Sequence, residues 1–304
     1  AKALYIIYLG VSVACAISYH LAGMEWEDAI MHMMTTVSLS GIGTHDASFA
    51  YFNSPAVDAV AIVFMLISGF NFSLHFMVWR RRNFLIYLQD AEAKAWIATA
   101  ALMSALTIIV LADAHVYETS AETVRHALFS VVSVITTTGY ATVDYASWPL
   151  GLPVLLLVAA AFSTCAGSTG GGIKTTTFFV LMQQVRSIFS KRRLGAFHRR
   201  LPDAALPKAA TITLMGIIVV LGGTFGLCIL EPETDFVRLL FEQISAYSTA
   251  GLSTGITAEL CPASRVVLIL TMFIGRVGAV TLLSLWVERP EPTARYTEEA
   301  ITIG

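Results

Sequence analysis

The chain has 304 residues, of which 56% are hydrophobic and only 13% are charged, with a formal net charge of −2. A soluble domain carries about 25% charged residues, so this composition, with a mean hydropathy of +0.71, is typical of an integral membrane protein. It excludes a disordered chain, a net-basic protein that binds nucleic acid and an ordinary cytosolic enzyme.

Six apolar segments follow one another along the chain. A helix needs about 20 residues to cross the hydrocarbon layer, and most of these segments are that long. In chain order they cover residues 3–19, 56–79, 95–112, 149–189 with an interruption, 209–230 and 263–287. The pattern therefore predicts an all-α membrane protein that crosses the bilayer several times.

The charged residues between these segments are divided by sign. Most of the 19 Lys and Arg residues fall on one side, and most of the 21 Asp and Glu residues fall on the other. The positive-inside rule makes the basic side cytoplasmic. An acidic outer mouth raises the local concentration of cations, so the sequence favours a cation as the transported species.

The outer connections contain three copies of one pattern, which align on Gly41, Gly139 and Gly251. Hydroxyl residues recur at fixed distances from each glycine: Ser38, Thr136 and Ser248 three residues before it, Thr35, Ser133 and Ser245 six before it, and Thr44, Thr142 and Thr254 three after it. Such self-similarity indicates repeated structural units. Each unit reads as an outward helix, a re-entrant half-helix of about 12 residues, a hydroxyl-and-glycine turn and a returning helix. The units cover residues 1–90, 91–200 and 201–304.

The turn after each half-helix resembles a selectivity filter. The second of the three copies, Thr137-Thr138-Gly139-Tyr140-Ala141, is close to the Thr-Val-Gly-Tyr-Gly loop whose carbonyl oxygens replace the water shell of K⁺ in channels. A half-helix also directs its negative C-terminal end at the turn, which favours a cation. The predicted K⁺-binding filter residues are Ser38, Leu39, Ser40, Gly41, Ile42, Gly43, Thr136, Thr137, Thr138, Gly139, Tyr140, Ala141, Ser248, Thr249, Ala250, Gly251, Leu252 and Ser253.

A glycine-rich segment interrupts the apolar stretch 149–189. Its four glycines in six residues disfavour a helix, so we expect an unwound loop inside the bilayer. A phosphate-binding loop does not fit, because Ile173 precedes Lys174 where that motif needs Lys directly after Gly. A packing kink remains the alternative to a gate. The predicted gate residues are Ala166, Gly167, Ser168, Thr169, Gly170, Gly171, Gly172, Lys174 and Arg276.

Arg276 is expected at membrane depth, where a charge is costly unless it is paired or faces water. A structural bond to loop carbonyls would pair this charge.

Four motifs together resemble the Trk/Ktr/HKT superfamily of potassium transporters, most closely the bacterial Trk type of membrane subunit. They are Thr-Val-Ser-Leu-Ser-Gly-Ile-Gly-Thr-His-Asp-Ala-Ser at 36–48, Ser-Gly-Phe-Asn-Phe-Ser-Leu-His-Phe at 68–76, Cys-Ala-Gly-Ser-Thr-Gly-Gly-Gly-Ile-Lys at 165–174 and Gly-Arg-Val-Gly at 275–278. The resemblance implies four helix–pore-loop–helix repeats around one pseudo-fourfold pore, with one filter glycine in each. It also implies that the loop at 166–172 and Arg276 gate the pore.

Only three filters are present here, so we expect the units at 1–90, 91–200 and 201–304 to be the second, third and fourth repeats. A first repeat is expected before Ala1. The resemblance further implies a homodimer in the bacterial inner membrane and a cytoplasmic ring of regulatory subunits.

The sequence thus predicts potassium uptake without enzymatic chemistry, through a carbonyl-lined filter gated by the glycine-rich loop. We expect no covalent cofactor, K⁺ as the transported ion, and a nucleotide (ATP/ADP or NAD) on the partner subunit only. The alternative is a secondary transporter coupled to Na⁺ or H⁺ (symport), which would use broken helices and alternating access. A membrane scaffold or enzyme subunit is a third possibility, which no pair of catalytic residues supports.

Overall fold

The computed structural model describes residues 2–149, 151–161, 164–190, 195–196, 199–200, 205–278 and 281. Within them the predicted helical fold is confirmed. The helices are α1 Lys2–Leu21, α2 Trp26–Val37, α3 Pro55–Gly69, α4 Phe72–Arg81, α5 Leu85–Gln89, α6 Ala91–Asp113, α7 Ser120–Ile135, α8 Gly151–Ala161, α9 Thr175–Ser190, α10 Ala205–Leu230, α11 Phe236–Ser248 and α12 Pro262–Val277. Short 3₁₀ turns cover Ser48–Tyr51, Tyr145–Ser147 and Ile256–Ala258, and β1 Gly195–Ala196 pairs antiparallel with β2 Arg199–Arg200.

Three of the helices, α1, α6 and α10, are long and apolar enough to cross a membrane singly. Large apolar side chains on them face outward, among them Leu9 on α1, Ile109 on α6 and Phe225 on α10. A soluble protein would bury such side chains, whereas hydrocarbon tails accept them. These helices therefore place the chain in a bilayer.

The apolar segment at residues 56–79 does not form one continuous helix. The structure breaks it into α3 and α4, whose axes differ by 94°. Asn71 stands at the break, where its side-chain Oδ1 accepts a hydrogen bond from the Ser73 N–H at 2.9 Å and caps the start of α4. Asn is a preferred N-cap because its side chain satisfies a backbone donor that the new helix leaves unpaired.

The interruption expected in 149–189 is present, since α8 ends at Ala161 and α9 begins at Thr175. The last predicted span, 263–287, is helical to Val277. Gly278 follows with a φ of 90°, and residues 279–280 and 282–287 lie outside the described part of the chain.

The three sequence units pack in the same way. In each unit the long outer helix packs against the half-helix that follows it: α1 against α2, α6 against α7 and α10 against α11. The returning helix then contacts the half-helix of the next unit, as α3 does with α7 and α8 with α11. The units therefore follow one another side by side in chain order.

The apolar cores extend across these boundaries. Phe129 and Val132 of α7 are buried in one core with Cys15, Val37 and Met65 of the unit before it. In the same way, Phe241 and Leu252 of the last unit belong to the core built by α6, α7 and α8. These two cores join neighbouring units, whereas a third core, with Leu227, Leu239 and Leu268, lies within the last unit.

A buried ion pair fixes the boundary between the first two units. The Arg125 Nε–H of α7 donates to Asp58 Oδ2 of α3 at 2.7 Å, and Asp58 is 1% exposed. Removing one partner of a buried pair leaves the other charge uncompensated.

We therefore expect Asp58→Ala to lower the free energy of unfolding by about 3–5 kcal/mol, measured by thermal unfolding of the full-length protein in detergent. The matched control is Asp113→Ala, which removes an exposed carboxylate. A loss no larger than that of the control would contradict the role of the pair.

Candidate functional site

All three half-helices end in the same backbone turn. The N–H two residues before each filter glycine and the N–H one residue before it bond back to carbonyls in the last turn of the helix, as Leu39 to Thr36 and Ser40 to Thr35 do at 3.2 and 2.9 Å. The equivalent bonds run from Thr137 to Val134, Thr138 to Ser133, Thr249 to Ala246 and Ala250 to Ser245. This is the Schellman pattern of helix termination.

The turn places side-chain-bearing residues in the left-handed region. Leu39, Thr137 and Thr249 have φ values of 54°, 58° and 54°. Such a conformation costs about 1–2 kcal/mol for a residue that is not glycine. Strain at the same position in three copies is typical of a functional segment that the surrounding fold holds in place.

The filter glycines allow neighbouring segments to touch. A Cβ on Gly41 would stand 1.7 Å from the Thr138 carbonyl oxygen, and a Cβ on Gly139 would stand 2.0 Å from the Ala250 carbonyl oxygen. Their φ values of 65° and 89° also require glycine. Gly41 and Gly139 thus each face the carbonyl of the residue that precedes the filter glycine of the next unit. The three filter segments therefore lie next to one another in chain order.

A filter segment is more deeply buried when it has a filter segment on both sides than when it has one on one side only. Thr136, Thr137 and Thr138 of the middle segment are fully buried, whereas Ser40 and Gly251 on the outer segments are exposed. The residue after the glycine follows the same rule. Tyr140 and Leu252 are 1% and 7% exposed because each packs on the preceding unit, but Ile42 is 71% exposed. The first and last segments therefore each have one open side.

The Tyr140 side chain does not point into the filter. Its hydroxyl lies 2.5 Å from Thr35 Oγ1 and 3.1 Å from Thr36 Oγ1 on the neighbouring half-helix, and it donates to the His32 carbonyl. The Tyr140 carbonyl accepts a hydrogen bond from Ser133 Oγ at 2.8 Å. The tyrosine thus anchors its filter segment to the unit before it, a role that the sequence pattern alone did not reveal.

Each filter segment is also tied to its own half-helix on the outer side. Thr44 Oγ1 donates to Asp28 Oδ1 at 2.6 Å, and His126 Nδ1 lies 3.0 Å from Thr142 Oγ1. In the last unit the Arg238 guanidinium donates from Nη2 to the Thr254 carbonyl at 3.2 Å. Asp28, His126 and Arg238 occupy the same position in the three aligned copies. The alignment placed them in register but did not show that each contacts its filter segment.

Glu242 is a further residue that sequence reasoning missed. It is buried on α11, and its carboxylate accepts hydrogen bonds from Ser253 Oγ and the Thr254 N–H at 2.8 Å each and from Thr257 Oγ1 at 2.6 Å. A carboxylate in this environment orders the outer part of the last filter segment. The sequence signal that could have identified Glu242 is an acidic residue on the otherwise uncharged face of an apolar half-helix.

The glycine-rich loop lies against the ends of all three half-helices. Thr169 Oγ1 donates to the Val37 carbonyl at 2.9 Å, and the Gly171 N–H donates to Thr137 Oγ1 at 3.2 Å. A Cβ on Gly171 would stand 2.0 Å from Thr249 Oγ1. The loop therefore approaches the three filter segments so closely that side chains are excluded there.

Lys174 and Arg276 line a common cavity of about 220 Å³ with Gly170, Gly171, Gly172 and Lys208. The Lys174 Nζ donates to the Gly170 carbonyl at 2.5 Å and to Thr164 Oγ1 at 3.1 Å, so it closes the loop on itself. Within the described ranges, Arg276 makes no hydrogen bond to a loop carbonyl. Five of the predicted gate residues thus lie around one cavity that also holds Lys208, whereas Ala166, Gly167, Ser168 and Thr169 are not in its lining.

The oxygen atoms of the site come from carbonyls and hydroxyls. In the part of the chain that the structure describes, no group of three His, Cys, Asp or Glu side chains could hold a metal ion. Backbone carbonyls are the ligands that channels offer to a dehydrated alkali cation.

Fold and site together define an all-helical membrane protein in which broken helices converge on a row of glycine turns. The chain belongs to the TrkH family, described as cation transport proteins, whose family profile matches residues 1–294. The family is one of transport proteins and not of enzymes.

Similar proteins include the Trk system potassium uptake proteins TrkH of Halomonas elongata, 35% identical over 303 residues, and of Escherichia coli, 34% identical over 297 residues. Each alignment covers 94% of this chain and 61% of the relative. The crystal structure of the potassium transporter TrkH from Vibrio parahaemolyticus matches with a TM-score of 0.87 at 32% identity, over 94% of this chain and 64% of that one. The chain thus spans about three fifths of the length of these relatives.

We expect Tyr140→Phe to lower the free energy of unfolding by about 1–3 kcal/mol, because it leaves the hydroxyls of Thr35 and Thr36 and the His32 carbonyl without their buried partner. The measurement is thermal unfolding of the full-length protein. Tyr51→Phe is the matched control, since Tyr51 is 59% exposed and lies in the same outer region. Equal stability of the two variants would show that the anchor is not important.

Proposed function

We propose that this chain forms most of the wall of a potassium-uptake pore. The observation that carries the proposal is the row of three filter segments with the same left-handed backbone, in which Gly41 and Gly139 each face a carbonyl of the following segment. Similar proteins are named Trk system potassium uptake proteins, which supports K⁺ as the ion.

The open sides of the row support a pseudo-fourfold arrangement. Gly41 and Gly139 each meet the carbonyl of the following unit, whereas Gly251 is exposed. At the other end Ile42 lacks the neighbouring half-helix on which Tyr140 and Leu252 pack. A fourth segment between Gly251 and Ile42 would close a ring, and the units at 1–90, 91–200 and 201–304 would then be its second, third and fourth repeats.

In this pore, the ion exchanges its water shell for oxygen atoms of the filter segments 38–43, 136–141 and 248–253. The half-helices α2, α7 and α11 end at these segments, and their negative C-terminal ends stabilise a cation there. Since irregular backbone at membrane depth must be covered by protein or line a watery path, the turns are consistent with a pore lining.

The glycine-rich loop is the proposed gate. It lies against all three filter segments through Thr169 and Gly171. Lys174, Lys208 and Arg276 add positive charge to the cavity beside it, which raises the energy of a cation at that point. Ion passage then requires the loop to move away from the half-helices.

A symporter coupled to Na⁺ or H⁺ is the alternative function. The observation in its favour is the pair of broken helices, α3–α4 and α8–α9, since secondary transporters place binding sites at such breaks. The row of filter segments favours the pore, because its glycines pack several segments around one axis instead of opening a site between two halves.

The remaining parts of the proposal concern the assembly. We place the protein in a bacterial inner membrane as a homodimer, with a cytoplasmic regulatory ring that binds the nucleotide (ATP/ADP or NAD). The membrane subunit itself needs no covalent cofactor. The description of the relatives as members of a Trk system supports partner subunits, and the basic residues between Arg186 and Lys208 offer a docking surface.

Ion flux through the full-length protein in liposomes tests the pore. We expect K⁺ and Rb⁺ to pass faster than Na⁺ and Li⁺, without a requirement for a second gradient.

Gly139→Ala should reduce this flux at least about tenfold, because its Cβ would overlap the Ala250 carbonyl oxygen. Gly226→Ala is the control, since a Cβ there meets no atom within 4 Å. Flux that is indifferent to ion identity would refute the filter, and flux that depends on a Na⁺ or H⁺ gradient would favour the symporter.

We expect Arg276→Ala to raise the basal K⁺ flux about tenfold, which corresponds to about 1.4 kcal/mol of lost repulsion. The same liposome assay, without regulatory subunits, measures it. Arg80→Ala removes an exposed positive charge away from the cavity and serves as control. Unchanged basal flux in the Arg276 variant would contradict an electrostatic role in gating.

A further inference from the structure

The gate loop makes a second set of contacts, at residues other than those that contact the half-helix ends. The loop begins after α8, and there its Ala166 N–H donates to the carboxylate of Glu92 at 2.5 Å. Glu92 lies in the first turn of α6 and is not part of the filter or of the charged cavity. A backbone N–H in an irregular segment inside a protein needs such a partner.

The break between α3 and α4 forms the other side of this junction. The Cys165 N–H donates to the Gly69 carbonyl at 3.1 Å, and the Phe72 N–H donates to the Gly167 carbonyl at 3.2 Å. The Asn71 side chain, which caps α4, also interacts with the Glu92 carboxylate. Residues 165–167 of the loop are therefore clamped between α6 and the bent helix of the preceding unit.

Two glycines flank the loop segment that contacts the half-helix ends, and the first of them is the last residue of the clamp. Gly167 and Gly172 have φ values of 74° and 69° and stand on either side of residues 168–171. Glycine at positive φ permits backbone rotation at low cost. The four residues between them carry the contacts to Val37 and Thr137, so a change at the clamp reaches the filter through a short, jointed segment.

We propose that Glu92 is the positioning residue of the gate loop: its carboxylate, together with the α3–α4 break, holds residues 165–167 so that residues 168–171 stay across the pore. The inference rests on the proposed function, since it assigns the closed position of that gate. Opening then requires that the Glu92–Ala166 bond break or move with α6. Loss of a hydrogen bond to a charged group shifts such an equilibrium by about tenfold or more.

Three variants of the full-length protein test this proposal. Glu92→Ala removes the acceptor, and Glu92→Gln keeps one acceptor oxygen but not the charge. Asp90→Asn is the matched control, because it removes a carboxylate at the same helix start, where Asn still serves as N-cap and no bond to the loop is made.

Two readouts are recorded for each variant: basal K⁺ flux in liposomes without regulators, and the rate at which a thiol reagent labels Cys165, followed by peptide mass spectrometry. Cys165 is buried in the clamp, and Cys15, buried in α1, reports general unfolding. The comparison is made under conditions where Cys15 stays unlabelled.

We expect Glu92→Ala to raise both the flux and the labelling of Cys165 about tenfold, Glu92→Gln to raise both by less, and Asp90→Asn to behave as the parent protein. Unchanged labelling in both Glu92 variants would overturn the proposal. An equal rise in Asp90→Asn would overturn it too, because the effect would then come from lost charge alone. Faster labelling of Cys165 in a protein that conducts no ion would support the clamp and refute the proposed function.

Discussion

The close approach of neighbouring filter segments is the constraint on which the rest of the structure depends. Gly41 and Gly139 lie so near the carbonyls of Thr138 and Ala250 that any side chain would overlap them. Such contact requires each half-helix to end at the same depth and in the same left-handed turn. The shared hydrogen-bond pattern at the three helix ends is therefore a consequence of the packing as much as of the local sequence.

Half-helices that end inside a bilayer need protein around them, because lipid cannot satisfy their last carbonyls. The half-helices α7 and α11 are each covered by the outer helix of their own unit and by the returning helix of the preceding one. This shared cover explains why the cores cross unit boundaries and why a buried ion pair joins Asp58 to Arg125 there. A unit of this kind gains its stability from its neighbours, so its sequence is constrained on two faces.

The sequence predicted the parts of this arrangement that are encoded locally. Spaced hydroxyl residues and glycines located the three turns, and the glycine-rich segment marked the break between α8 and α9. It failed where partners are distant in the chain. The anchor made by Tyr140 depends on contacts between packed units, and the bonds of the Glu242 carboxylate depend on how its own filter turn folds back. An apolar stretch such as 56–79 does not reveal which polar residue will cap a new helix, as Asn71 does here. The roles of the filter and gate residues in ion transport stay predictions.

The position of the glycine-rich loop links these constraints. It belongs to the middle unit, yet one part of it contacts the half-helix ends of all three units and the other part rests on the broken helix of the unit before it. A rigid movement of α4 or α6 would therefore displace the loop at its clamped end, while the filter segments, locked by their own turns, would stay in place. Because α4 ends in Arg80 and Arg81 on the basic side of the chain, such a movement could begin outside the membrane and reach the proposed gate. In the proposed pore, the three filter segments are each held by the turn of their own half-helix, whereas the loop is held at one end by α6 and by the break between α3 and α4.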